Sequence, residues 1–411
     1  MAKFSSERFP PGFFDLPRDA GEQLPVAVIE RWTTSPQTRA VARQILEPHT
    51  LVGTVVSSDA AGLTKLTRER PLVEILAMVN RPKELVHAWG KAVGGRALGV
   101  WAADNTQMYY GADLASARVV AMLLAMMDQV KAECEVQIGV CAHHGQYFEL
   151  AGGIYGPDAD RVEVVAEEHT EGGELVVTDT LASLLGDTHA FVLRPRADLA
   201  ERFGAILRVD GGPRLTGVSA EEINYPAPYS AQFFAEISRS QGRRRSLMPR
   251  PSYDEAAVVL IEREAEDPDV PEVKVLNDLA LTAAMIRIGD QFLEDLKGTE
   301  IKNTGLVSIY TFDDCRAAVS FAEEIRTTLA QTGIRCRIGV DVGQVLIFDL
   351  GTGGHDIAGD PVNTASKLAQ DVGELGGIYV SARAAAKGGL NASGTEVSAE
   401  VSGVHLAARR L

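Results

Sequence analysis

Gly359-Asp360-Pro361-Val362-Asn363-Thr364-Ala365-Ser366-Lys367-Leu368 reads as a glycine turn that opens into a helix. Ahead of it stands Arg337-Ile338-Gly339-Val340-Asp341-Val342-Gly343-Gln344-Val345, and behind it Gly377-Ile378-Tyr379-Val380-Ser381. The three pieces together read strand, glycine-punctuated hairpin, helix, strand. Outward from them the elements keep alternating. Ala257 to Ile261 reads as a strand, Cys315 to Leu329 as a helix and Cys336 to Val340 as a strand. The same succession occurs earlier in Leu51 to Val56, Arg118 to Met127 and Val136 to Val140. Mixed strands and helices with antiparallel hairpins predict an α+β fold with helices against a sheet.

The 411 residues suggest two domains, and 45% hydrophobic content supports full cores. A formal net charge of −16 argues against a general nucleic-acid binder and against a binder of anionic membranes. Cys134, Cys141, Cys315 and Cys336 show no paired spacing and read as buried free thiols. The N-terminus lacks the apolar core of a signal peptide, and no apolar run approaches the ~20 residues of a membrane span. The expectation is a cytoplasmic protein.

An internal repeat is legible. Ile138-Gly139-Val140 with Gly145-Gln146 returns roughly 200 residues later as Ile338-Gly339-Val340 with Gly343-Gln344. Gly172-Gly173-Glu174-Leu175-Val176-Val177-Thr178 parallels Gly376-Gly377-Ile378-Tyr379-Val380-Ser381, and Lys91-Ala92-Val93-Gly94 parallels Lys302-Asn303-Thr304-Gly305. One copy is placed at 46–205 and a second at 254–411. Residues 1–45 are expected to form an extended arm packed on a domain. Residues 206–253, with Arg243-Arg244-Arg245 near Pro249 and Pro251, read as a solvated linker.

The second copy resembles the C-terminal half of a class III adenylate/guanylate (nucleotidyl) cyclase domain. There R-I-G-x-x-x-G-x-V leads into G-x-x-V-N-x-A-x-R-L. The resemblance covers nearly all of both copies, less strongly the first. It implies two ferredoxin-like βαββαβ cyclase homology domains packed as an intramolecular pseudo-heterodimer. A larger oligomer, with copies paired between chains, stays open. The activity it implies is in-line attack of a ribose 3′ oxygen on the α-phosphorus of a nucleoside triphosphate. Mg²⁺ or Mn²⁺ on carboxylates neutralises the phosphates, and cations and amides stabilise the transition state.

Residue by residue, the resemblance is uneven. Asp59 in Ser58-Asp59-Ala60-Ala61-Gly62-Leu63-Thr64 matches the first metal-binding Asp, and the amides of Ala60, Ala61, Gly62, Leu63 and Thr64 are expected to cradle phosphates. The second such Asp is expected after Gly94, where Gly95 stands and cannot ligate. Val162-Glu163-Val164-Val165-Ala166-Glu167 replaces V-N-x-A-x-R in the first copy, after an apparent insertion at Pro157-Asp158-Ala159-Asp160. In the second copy Arg263 is expected in register with Asp59, and Leu306 where the second Asp would lie. Lys302 and Asp356 match the adenine-selecting pair, a donor to N1 and an acceptor from the exocyclic amine. Asn363 matches the ribose-orienting Asn. Lys367 stands for the transition-state Arg and lacks its planar fork.

The resulting expectation is a degenerate adenylate cyclase-like signalling protein. It binds ATP or another purine nucleotide between its domains, with Mg²⁺ or Mn²⁺ when nucleotide is bound, and has an unidentified protein partner. The alternatives are a working adenylate cyclase, a phosphorus–oxygen lyase with atypical metal ligation, and an interaction scaffold that binds no nucleotide.

Overall fold

The computed structural model describes residues 3–5, 7–15, 24–62, 70, 72–98, 105–186, 190–217, 254–266, 269–349, 355–390, 393–401 and 403–411; at 73, 105, 304 and 349 it describes the backbone alone. The chain divides into two compact units, Leu46–Met248 and a second formed by Met1–Ile45 with Pro249–Leu411.

In the first unit β1 (Thr50–Ala60) leads to helix α3 (Leu72–Ala92), then β2 (Arg96–Ala97) and β3 (Asn105–Gly111), helix α4 (Ser116–Glu133) and β4 (Ile138–Leu150). This βαββαβ run pairs in the order β4-β1-β3-β2, the ferredoxin-like arrangement. Additions follow: β5 (Gly153–Tyr155), α5 (Pro157–His169), β6 (Leu175–Thr178), α6 (Asp179–Ser183), β7 (Val192–Pro195), α7 (Ala200–Phe203) and β8 (Ile206–Gly211). The full sheet runs β2-β3-β1-β4-β6-β8-β7, with β5 on β4. Because β8 lies between β6 and β7, the sheet extends past residue 205. One apolar cluster joins Val86, Met108, Leu123 and Val140 beneath α3 and α4; another joins Val55, Cys141, Tyr147, Val162 and Val165 beneath α5. Helices therefore cover both faces, and the central strand β1 is almost continuously buried.

The elements of the second unit are β9 (Asp254–Arg263), α8 (Pro271–Leu296), β10 (Gly298–Thr304), β11 (Val307–Phe312), α9 (Cys315–Gln331), β12 (Cys336–Asp349), β13 (His355–Ala358), α10 (Asp360–Gln370), β14 (Ile378–Ser381), α11 (Ala382–Lys387), β15 (Thr395–Val401) and β16 (Val404–Arg410). They repeat the strand order of the first unit: β10-β11-β9-β12-β14-β16-β15, with β13 on β12. Helix α9 buries Cys315, Ala318, Val319, Ala322, Ile325 and Leu329, the stripe of a surface helix. Asp314 caps its start by accepting from the Arg316 amide.

The N-terminal segment is not extended throughout. It forms α1 (Val26–Thr34) and α2 (Arg39–Leu46), and α1 lies on α8. Trp32 is fully buried, and its Nε1 donates to Asn277 Oδ1 at 3.1 Å.

Candidate functional site

The purine-side residues come together through an irregularity in β10. Glu300 pairs with Tyr310 and Lys302 with Ile309, so Ile301 is an extra residue in the ladder. Without that bulge, strict alternation would leave Lys302 on the Glu300 face, toward the Tyr310 side of the sheet. With it, Lys302 shares a face with Ile309, the face covered by α10 and β13. There Lys302 Nζ lies 2.8 Å from Asp356 Oδ1, and both groups are mostly buried. The same carboxylate oxygen accepts from the Ile357 amide at 2.8 Å. Beneath the pair Ile301, Ile309, Ile357 and Ala365 form one apolar cluster with partly buried Val362 against it.

Helix α10 buries Pro361, Ala365, Leu368 and Ala369. Asn363 is exposed and Lys367 half-buried, one turn apart on one side of the helix. The helix sits tight on the sheet: a Cβ on Gly339 would lie 2.0 Å from the Ala365 carbonyl oxygen. Lys302 on β10, Asp356 on β13, and Asn363 and Lys367 on α10 thus come from three adjoining elements over a common core.

The strand pairings correct several sequence alignments. The Ala61 amide donates to Gln137 O and the Glu264 amide to Arg335 O. Asp59 faces Gly139, and Glu262 faces Arg337. The counterpart of Asp59 is therefore Glu262, not Arg263. Glu262 accepts from Arg337 Nε. Arg263 is fully enclosed, 2.9 Å from Asp278 Oδ1, and burial pulls its pKa down. Val140 pairs with Leu175 as Ile338 pairs with Ile378, so the two Ile-Gly-Val triplets are not equivalent either.

Lys91 lies in the last turn of helix α3, whereas Lys302 lies in a strand. Gly95 is the counterpart of Gly298: a Cβ at either would lie within 2.4 Å of an aromatic ring, Tyr110 or Phe312. Gly95 is thus required for close packing at the start of β2 and does not mark a ligand position. Asp59 pairs with Asn105 and Glu262 with Val307. Leu306, just before Val307, therefore corresponds to the residue just before Asn105. That residue is Asp104, outside the described residues.

In the first unit Asp59 is half-buried near the end of β1, followed by Ala60, Ala61 and Gly62. Gly62 has φ +79°, a turn that favours glycine. Leu63 and Thr64 lie outside the described residues. Among the described residues no cluster of three or more His, Cys, Asp or Glu can hold a metal ion. Asp59 alone does not make a two-metal site.

Pro157-Asp158-Ala159-Asp160 is the first turn of α5, not an insertion. Gly156 precedes α5 as Gly359 precedes α10, which sets Asp160 opposite Asn363 and Val164 opposite Lys367. Burial, then Glu167 and Asp160, push the Glu163 carboxyl up to about 7. Helix α5 carries Asp158, Asp160, Glu163, Glu167 and Glu168 against the single arginine Arg161, so the two units differ in charge as well as in residue identity.

The sequence reading missed the Ile301 bulge and the Arg337–Glu262 pair. Both are set by cross-strand pairing, which leaves no local pattern.

No protein-family model and no curated protein sequence matches the chain. Solved structures do. A class III adenylyl cyclase-like ATP-binding protein from Pseudomonas aeruginosa is 12% identical, with a TM-score of 0.56, over 82% of this chain and 85% of that one. The adenylyl cyclase CyaB from P. aeruginosa is 17% identical over 39% of this chain and 95% of its own, with a TM-score of 0.32. An adenylate/guanylate cyclase/hydrolase from Silicibacter pomeroyi is 25% identical over 39% and 95%, also at 0.32. The chain has the class III cyclase-like fold, carried by the first of these similarities.

Proposed function

We propose that this chain is a cyclase-like signalling protein that binds ATP or a related purine nucleotide and has impaired catalysis. The observation that carries the reading is the Lys302–Asp356 pair, 2.8 Å apart, beside the helix that presents Asn363. An ammonium and a carboxylate held together offer a donor and an acceptor to one base edge. Adenine presents N1 as acceptor and its amine as donor; guanine presents the reverse. The similarity to a protein described as ATP-binding agrees with this choice. Lys367 weakens transition-state stabilisation relative to a forked guanidinium, and loss of such a group costs ~10²–10³ in rate.

A second reading, a working adenylate cyclase, is favoured by the strand register. It moves the second carboxylate position from Gly95 to the residue before Asn105, which is Asp104. With Asp59 this would supply two carboxylates for Mg²⁺ or Mn²⁺.

Calorimetric titration with a non-hydrolysable ATP analogue and with GTP, each with Mg²⁺ or Mn²⁺, tests both. ATP-selective binding, weakened about 10- to 100-fold by Lys302→Ala or Asp356→Ala, is expected for charge-assisted hydrogen bonds to the base. Absence of binding under every condition overturns nucleotide recognition and leaves the scaffold. Cyclic AMP formed with Mn²⁺ and lost in Asp59→Asn and Asp104→Asn would establish the second reading.

A further inference from the structure

Asp341 lies in β12 with no solvent exposure. A buried carboxylate is tolerated only when paired and hydrogen-bonded. Its partners are the Ser381 hydroxyl and Arg383, which donates from Nε at 2.7 Å and also from Nη2. The same Nη2 donates to Asp360 Oδ2 at 2.6 Å. Asp360 is the first residue of α10, and Ser381 caps α11 by accepting from the Ala384 amide. One guanidinium therefore joins a central strand to the starts of two helices. Gly359 enters α10 at φ +151°, and a Cβ there would lie 2.9 Å from Gln344 O. The chain is thus clamped against β12 just where the helix begins.

The first unit holds the corresponding helix through a histidine. His143 replaces Asp341 and Thr178 replaces Ser381. His143 Nδ1 lies 2.8 Å from Thr178 Oγ1, and Nε2 lies 3.0 Å from Asp158 Oδ1. That helix carries Asp160 and Val164 in place of Asn363 and Lys367. Among the described residues the arginine clamp accompanies only the helix with the polar pair.

We infer that Arg383, bridging Asp341 and Asp360, is a positioning residue that fixes the first turn of α10 and so the direction of Asn363. Asp360 and Asn363 are three residues apart, neighbours on one helix surface. Restraint of one sets the rotation of the other about the helix axis. The Val362 and Asn363 amides both donate to Gly359 O, so the restrained turn is also the one that can fray. The clamp itself is independent of ligand; its consequence for binding rests on the proposed contact of Asn363 with nucleotide.

Removing Arg383 would strand buried Asp341 and risk the fold, so the test cuts the exposed arm of the clamp with Asp360→Asn. Hydrogen exchange of the ligand-free protein is expected to quicken at the 362–364 amides by roughly fivefold, with the melting temperature unchanged and Asp360→Glu restoring protection. In titrations with the ATP analogue, Asp360→Asn should weaken binding by about fivefold in the wild-type background and not further in Asn363→Ala. Unchanged exchange, or an additive loss in the double variant, overturns the inference. If wild type binds no nucleotide, the proposed function fails, while the exchange comparison still decides the clamp.

Discussion

Glu163 carries its carboxyl into a half-buried place on α5, and its pKa is raised from 4.5 to about 7 by burial, then by Glu167 and Asp160. Gln107 opposes the shift by donating to it. A raised carboxyl favours the protonated folded state. Its stabilising effect is full below the ordinary value and is lost as pH rises through about 7. Glu163→Gln removes the proton dependence. Thermal unfolding should show the variant more stable than wild type at pH 8.5, by on the order of 2 kcal/mol, and converging with it near pH 4.5. An unaltered pH profile would show that Glu163 does not titrate in this range. Glu300 in the second unit is also pushed up to about 7, by burial and then Asp290, so part of the wild-type slope should survive.

Helix α10 and strand β12 illustrate how one residue sets the spacing of elements. Gly339 lets the Ala365 carbonyl approach to a distance that no side chain permits. Its counterpart in the first unit is fully buried Cys141, which packs under α5 with Val162 and Val165. Gly339→Ala should push α10 off the sheet and cost about 2–3 kcal/mol in denaturant unfolding, the scale of overpacking. Cys141→Ala should cost less, about 1 kcal/mol, because it removes atoms and forces no backbone apart. A neutral Gly339→Ala would mean that the helix adjusts freely and that its position over the sheet is not specified there.

At the scale of the molecule, the second unit is assembled from both ends of the chain. Arg8 donates from Nε to Thr332 O at 2.8 Å, Arg43 Nε reaches Glu272 Oε1 at 2.8 Å, and Lys3 pairs with Glu266. Phe4, Phe9 and Phe14 bury their rings against one another. Burial, then Arg8 and Arg263, pull the Lys3 pKa down to about 8. Trp32 is the anchor with most to lose. Trp32→Ala should destabilise this unit by about 3–5 kcal/mol, seen as an earlier unfolding step with exposure of residues 26–46 to proteolysis. Unchanged unfolding would show that the segment is an appendage rather than part of the unit. Among the described residues no helix is long and apolar enough to cross a membrane.

The alternation of apolar strands and amphipathic helices, the glycine turns and the Gly359–Leu368 stretch determined the α+β class by themselves, and made the repeat legible in its order of elements but not in its residue-by-residue register. They are local, so residues near in sequence suffice to read them. The sequence also made Lys302, Asp356, Asn363 and Lys367 recognisable by type and order. Only the tertiary structure decided their geometry. The Ile301 bulge turns Lys302 toward Asp356, and cross-strand pairing makes Glu262 the counterpart of Asp59. Gly95 becomes a packing residue because Tyr110 lies over it, and Arg383 acts only through two carboxylates distant in sequence. Register is a property of hydrogen bonds between remote strands, and a single inserted residue reverses which face a side chain occupies. Counting along the chain cannot carry that information.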